Sequence, residues 1–379
     1  MGFIYTLTVG SVFLLAFLTL TNPRKVNAKA NQWLGLFLLG FACLLLDRVL
    51  PATGIYTAHP HLLGLTELTR FTMAPALYLS VVCFTSPERR GRTKDWLHFL
   101  PGALFLLHLL PFLLQTGTAK QAVLQGHFPA RSPFDELLGS VVFYAVKIQV
   151  VGYWVASYRK LVRHQQNVQL FASQLGRIDL NWLKLFLWGL AFLVFLWFNE
   201  LFFHVEWLLA LTPWLFFAAV YALSYFSLRQ PEVFDFSPPE VAEINHLLQQ
   251  QTSEKKPATP RIAPERLPSL KDQLTQLMHR EKVYLEADLG LPSLALRMNL
   301  SSHELSYLLN EGFGKNFFQF VNEYRIEEAK RLLLSPQHHH LNMLGVAYEA
   351  GFSSKTTFNT TFKRLVGLSP SQFVQTHCS

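Results

Sequence analysis

The sequence predicts an all-α protein in two parts: a polytopic seven-helix transmembrane bundle, then an all-helical domain with two helix-turn-helix units joined by a long helix. Three observations predict it. Half of the 379 residues are hydrophobic and only 15% are charged, against about 25% in ordinary soluble domains. Seven apolar runs fill residues 3–228, each about the 20 residues that a helix needs to cross a bilayer core. Beyond residue 270 apolar residues instead recur at helical spacing and are interrupted twice by turn-forming residues.

The runs are 3–20, 32–50, 62–84, 96–114, 134–157, 183–203 and 207–228, within a first domain of residues 1–230. The first has neither a basic leader nor a small-residue cleavage site, so it reads as a retained span. Arg24, Lys25 and Lys29 lie in loop one, Arg89, Arg90, Arg92 and Lys94 in loop three, and Arg159, Lys160, Arg163 and Arg177 in loop five. Loops two and six have no Lys or Arg, and loop four has only Lys120 and Arg131. Basic loops stay on the cytoplasmic side. The expected placement is therefore the cytoplasmic (inner) membrane, N-terminus outside and C-terminal domain in the cytoplasm. An odd number of spans requires the same result.

Charge inside a span is costly and marks a pair, a cavity or a functional site. Asp47, Arg48, Glu67, Arg70, Lys147 and Glu200 are the candidates. One reading places them around a pocket for an unknown small-molecule or lipid signal; the other makes them interhelical pairs and interfacial anchors. Lys147, near the middle of the fifth run, most needs a partner.

Residues 231–269 form a Pro-rich linker. Pro257, Pro260, Pro264 and Pro268 follow a polar stretch, and repeated prolines favour extended chain. Residues 252–268 therefore read as a semi-extended cytoplasmic tether, after a short helix at 240–251. A tether favours signalling by proximity over a rigid push.

Residues 270–379 make the second domain. A helix over 270–286 comes first. Leu294, Ala295 and Met298, then the turn Asn299-Leu300-Ser301, then Leu305, Leu308 and Leu309 form one helix-turn-helix. Its outward residues are His303, Ser306, Tyr307 and Asn310. A helix over 317–334, roughly 27 Å long, leads to the second unit. There Leu341, Leu344, Ala347 and Tyr348 precede Gly351-Phe352-Ser353-Ser354, and Phe358, Phe362, Leu365 and Val366 follow. Gly351 can take the left-handed conformation that ends a helix, and Ser353 or Ser354 can cap the next. With Phe358 and Phe362 inward, Lys355, Thr356, Asn359, Thr360 and Lys363 face out, a set suited to a DNA major groove.

On Gly351-Phe352-Ser353-Ser354, Phe358, Phe362-Lys363, Gly367-Leu368-Ser369-Pro370 and Phe373, with Leu294-Ala295 and Tyr324-Arg325 further back, the second domain resembles the DNA-binding domain of the AraC/XylS family of bacterial transcription regulators. The resemblance does not extend to the first 230 residues. It implies base contacts from His303, Ser306 and Tyr307, a backbone contact from Asn310, and base contacts from Lys355, Thr356, Asn359 and Thr360. Neither face offers an arginine, the usual reader of guanine. The domain is also nearly neutral, with 11 Lys plus Arg against 10 Asp plus Glu over residues 270–379. A single copy is therefore expected to bind double-stranded DNA weakly and to work as a homodimer on paired sites.

Cys43, Cys83 and Cys378 are far apart and form no disulfide framework or metal motif. His338-His339-His340 lacks an acidic or cysteine neighbour, and three consecutive residues rarely converge on one ion. No nucleophile elbow, zinc-protease motif or kinase signature occurs. The expectation is a regulator held in the lipid bilayer, not an enzyme, with no cofactor and no metal. The alternative is a membrane transporter or enzyme coupled to a DNA-binding domain; against it, the apolar half shows no inverted repeat.

Overall fold

The computed structural model describes residues 2–21, 27–86, 93–128, 132–173, 178–198, 203–230, 233, 262–335, 337 and 341–377. The fold is all-α: every named element among the described residues is helical, and the one extended pairing there is the isolated bridge of Ala172 with Gly290. Most of the linker, including 240–261, lies outside the described residues, as do Glu200 and His338-His339-His340.

The chain forms two compact units, residues 1–162 with 180–233, and residues 163–179 with 234–379. In the first, α1 (Gly2–Leu20) lies on α2 (Ala28–Val49), and α2 on α3 (Met73–Phe84). After α4 (Leu100–Leu113) comes α5 (Pro133–Val168), then α6 (Asn181–Phe198) and α7 (Glu206–Arg229), which contacts α1 and α6. Among the described residues, five helical stretches are long and apolar enough to cross a membrane: Phe3–Leu20, Ala28–Thr53, Thr93–Leu113, Pro133–Val168 and Glu206–Arg229. The sixth run gives a shorter apolar helix.

The third run, expected as one helix, breaks into short 3-10 turns at Pro60–Leu62 and Thr66–Thr69 before α3 begins. Its residues explain the break. Gly64 has φ 87°, and the Thr69 and Thr72 hydroxyls donate to the carbonyls of Thr66 and Thr69 at 2.8 and 2.9 Å, competing with a regular ladder.

The second unit contains α8 (Leu267–Arg280), α9 (Leu291–Arg297), α10 (Ser302–Tyr307), α11 (Phe317–Leu334), α12 (Met343–Glu349), α13 (Lys355–Val366) and α14 (Pro370–His377). The helix expected to run to residue 286 stops at Arg280, because Lys282 turns left-handed at φ 48° and only a 3-10 turn, Val283–Leu285, follows. Two apolar cores share α11. Phe317, Phe320 and Val321 enter a core with α8, α9 and α10, whereas Ile326, Ala329, Leu332 and Leu333 enter one with α12, α13 and α14. One helix thereby fixes the spacing of the two helix pairs.

Candidate nucleic-acid interface

The second helix-turn-helix is set by Gly351. Its φ is 86°, a conformation most side chains avoid, and its amide donates to the Tyr348 carbonyl at 2.9 Å. Phe352, buried, then anchors the turn in the core, where it begins a chain of rings: Phe352 to Phe358 at 5.4 Å, Phe358 to Phe362 at 5.6 Å and Phe362 to Phe373 at 5.4 Å. Of the two cap candidates, Ser354 does the work; its Oγ accepts from the Thr357 amide at 3.2 Å. With Phe358, Thr361 and Phe362 buried, Lys355, Thr356, Thr360 and Lys363 are exposed and Asn359 is half-buried.

On α12 the inward residues are Val346 and Ala347, followed by Ala350. Leu344 and Tyr348, expected inside, point outward, and Leu365 on α13 does the same. The small residues leave room for a close approach of α12 to its neighbours, so the larger residues of the same helix are not needed in the core.

The first unit turns at Asn299, left-handed at φ 54° as a glycine substitute. Ser301 and Glu304 then form a reciprocal capping box at the start of α10: the Ser301 Oγ accepts from the Glu304 amide at 3.3 Å and the Ser301 amide donates to Glu304 Oε2 at 2.9 Å. Bonds from the Ser301 amide and hydroxyl hold the Glu304 carboxyl below its usual range. His303, Ser306 and Tyr307 are half-buried, Tyr307 leaning on the first core, and Asn310 is exposed.

Ion pairing decides where positive charge is left over. Within the second unit Lys282 and Arg331 both pair with Glu328, Arg297 with Glu286, Lys315 with Glu323, and Lys330 with Glu327. Among the described residues no ion pair includes Lys355, Lys363 or Arg364. Helix α13 has these three basic residues and no acidic one. Of the two candidate recognition helices, α13 is therefore the positive one, since α10 has Glu304 and no Lys or Arg. Arg364, not singled out in the sequence, lies one turn beyond Thr360 with its guanidinium over the Phe318 ring at 5.1 Å. The adjacent basic pair Lys363-Arg364 in the last turn was the available sign.

Arg325 of α11 is fully buried and holds several segments at once. Its Nε donates to the Tyr284 carbonyl at 2.7 Å and one terminal nitrogen to the Glu286 carbonyl at 2.8 Å. The guanidinium also bonds Ser173 and lies 5.8 Å from the centre of the Phe352 ring. Burial pulls its pKa down to about 9, which leaves it charged at neutral pH.

In the first unit the candidate pocket residues are only partly brought together. Asp47 accepts from the Tyr56 and Thr66 hydroxyls, both at 3.0 Å, and Glu67 pairs with Arg70 beside them. Lys147 Nζ instead lies over the rings of Phe143 and Tyr144 on its own helix. An apolar cleft lined by Phe37, Phe41, Phe186 and Val220, among others, includes none of these charged residues in its wall.

A family of sequences described as a helix-turn-helix domain matches residues 294–376. The HTH-type transcriptional regulator GlxA of Rhizobium meliloti (strain 1021) is 31% identical over 116 residues, 30% of this chain and 35% of that protein. An uncharacterized HTH-type transcriptional regulator of Staphylococcus aureus (strain COL) is 30% identical over 102 residues, 27% of this chain and 13% of that protein. The chain thus spans about a third and about an eighth of these relatives. The C-terminal domain of the two-component response regulator yesN from Fusobacterium nucleatum, a solved structure, is 28% identical; the match covers 28% of this chain and 98% of that one, with a TM-score of 0.25. Residues 294–376 are therefore a helix-turn-helix domain, similar to those of proteins named as transcriptional regulators.

Proposed function

We propose that this chain is a membrane-bound one-component transcription regulator that binds double-stranded DNA in a sequence-specific way under the control of a signal sensed in or outside the membrane. The observation that carries the reading is the pair of helix-turn-helix units at the two ends of α11, each leaving a polar face outward. Helices α10 and α13 enter successive major grooves, roughly 34 Å apart on one side of a duplex. Lys355, Thr356, Asn359, Thr360 and Lys363 read or grip one groove; His303, Ser306, Tyr307 and Asn310 the other. The unpaired charge of α13 supports it as the stronger contact, since phosphate neutralisation supplies much of the affinity for DNA.

The apolar helices support anchoring in the inner membrane, N-terminus outside and reader in the cytoplasm. Two copies on adjacent half-sites gain affinity from their high local concentration. Asp47, Arg48, Glu67, Arg70, Lys147 and Glu200 remain the residues proposed for the signal site.

Genome-wide mapping of DNA bound by the full chain tests the reading, alongside a full chain carrying Lys355→Ala and Asn359→Ala. The expected result is a small set of promoter sites that disappears in the variant. No defined sites with the parent chain, or the same sites with the variant, would reject it.

A further inference from the structure

The sequence reads residues 158–182 as a loop between two spans, yet the described residues 163–173 and 178–179 fall in the same compact unit as the helix-turn-helix domain. Helix α5 is 36 residues long, about 54 Å at 1.5 Å per residue, well beyond the roughly 30 Å of a bilayer core. Its end and the strap that follows, 169–173, complete the first core through Val168, Phe171 and Ala172, all buried.

The strap's backbone caps two helices. The Phe171 carbonyl accepts from the Leu291 amide, the first of α9, at 2.9 Å, and the Gln169 carbonyl accepts from the Phe318 amide in the first turn of α11 at 3.2 Å. These amides have no partner within their own helices. Ser173 closes the set. Its carbonyl accepts from Asn322 at 2.9 Å and from Arg325 at 3.3 Å, and its hydroxyl accepts from Arg325 at 3.1 Å while donating to the Leu289 carbonyl at 2.6 Å. His164 and Gln165 at the end of α5 donate to the carbonyls of Ile178 and Asp179 at 2.8 and 2.9 Å.

We propose that the strap 169–173 is an intramolecular ligand of the helix-turn-helix unit, and that its docking sets the DNA-reading state according to the state of α5. The inference rests on the regulator reading above. Docked, the strap orders the starts of α9 and α11 and occupies donors of Arg325, a positioning residue whose guanidinium also lies against Phe352 in the turn of the second unit. Both candidate faces are then held in one arrangement. A change in α5 that withdraws Phe171 and Ser173 leaves two helix starts uncapped and donors of a buried guanidinium unmet, which favours a looser reader. The Pro-rich linker need not transmit this change, because the strap follows directly on Val168, the last residue of α5.

The test uses the full chain in lipid nanodiscs, with hydrogen exchange and DNA affinity read on the same samples. The variants are Phe171→Ala with Ser173→Ala, and Ala172→Cys with Gly290→Cys in a background with Cys43, Cys83 and Cys378 changed to Ala. Ala172 and Gly290 form a bridge pair, and a Cβ on Gly290 meets nothing nearer than 3.6 Å. The expected result for the first variant is at least tenfold faster exchange at the Leu291 and Phe318 amides and about tenfold weaker binding to a promoter fragment recovered with the parent chain. Oxidising the cysteine pair on top of Phe171→Ala with Ser173→Ala restores both. Unchanged exchange shows that the strap is not docked, and faster exchange with unchanged DNA affinity shows that docking does not set the reading state; either overturns the proposal. A parent chain that protects both amides but binds no DNA rejects the regulator reading and the coupling with it, and so differs from failure of the strap alone.

Discussion

Gly351 rests directly on the backbone of Tyr284: a Cβ at Gly351 would lie 2.6 Å from the Tyr284 carbonyl oxygen and 2.9 Å from Cα of Leu285. The same carbonyl accepts from Arg325 Nε, so it cannot move aside without breaking that bond. The turn of the second helix-turn-helix and the segment before the first therefore meet at one point, where only a hydrogen fits.

Gly351→Ala is expected to cost about 3 kcal/mol, combining left-handed strain with overpacking. Gly367→Ala serves as the comparison. Gly367 is also left-handed, at φ 83°, but a Cβ there meets nothing within 4 Å, so only strain of about 1 kcal/mol applies. Denaturant unfolding of the two variants separates the effects. Equal losses would show that the contact with Tyr284 does not matter.

Arg325→Lys keeps the charge and loses the fork. A lysine cannot supply bonds at once to Tyr284, Glu286 and Ser173, which a planar guanidinium does. The expected cost is about 2–3 kcal/mol, from buried carbonyls left without donors. Thermal unfolding of the full chain in nanodiscs measures it, and a loss below about 0.5 kcal/mol would show that lysine and water replace the guanidinium adequately.

The sequence made the ends of each recognition helix legible because the determinants are local. As turn and cap formers Gly351, Asn299 and Ser301 act within four residues of where they stand, although the contact of Gly351 with Tyr284 does not show in the sequence, and Phe358 with Phe362 declares an inward face by spacing alone. The face of α12 was misread for a different reason. Leu344 and Tyr348 have the right period, but Val346, Ala347 and Ala350 are what the neighbouring helices accept, and that choice depends on interhelical distance. The strap left no local trace at all. Ser173 meets Arg325 across 152 positions, and a buried arginine looks the same in sequence as an exposed one. Among the pocket residues, Glu67 and Arg70 pair one turn apart as their spacing allows, whereas the rings of Phe143 and Tyr144 against Lys147 are a contact that the expectation of a carboxylate overlooked.

Acid is expected to loosen the start of α10. Hydrogen bonds from Ser301 hold the Glu304 carboxyl below its unfolded value, so the folded state binds its proton less readily than the unfolded one. The capping box therefore contributes fully above the ordinary carboxylate pKa of about 4.3, and its contribution fades as pH falls through the lower, folded value. Ser301→Ala should cost about 1 kcal/mol at pH 7 and remove most of this acid sensitivity. Amide exchange of Glu304 across pH 3 to 7, corrected for intrinsic rates, reads the effect; an identical profile in parent and variant would argue against the box as its source.

Salt separates grip from reading on α13. Lys355 and Lys363 are exposed and enter no ion pair among the described residues, so as phosphate contacts each contributes one released counterion. Lys363→Ala should weaken binding to all sequences alike and reduce the slope of log affinity against log salt by about 1. Asn359 differs: half-buried beside Phe358 and uncharged, it suits a paired contact to adenine in the major groove. Asn359→Ala should leave the slope unchanged, cost about 1–3 kcal/mol on the best site and nearly nothing on random DNA. Titrating parent and both variants on specific and random duplexes at several salt concentrations distinguishes them. If Asn359→Ala weakens both duplexes equally, the residue holds the backbone and sequence is read elsewhere on α13, with Thr356 and Thr360 next to be changed.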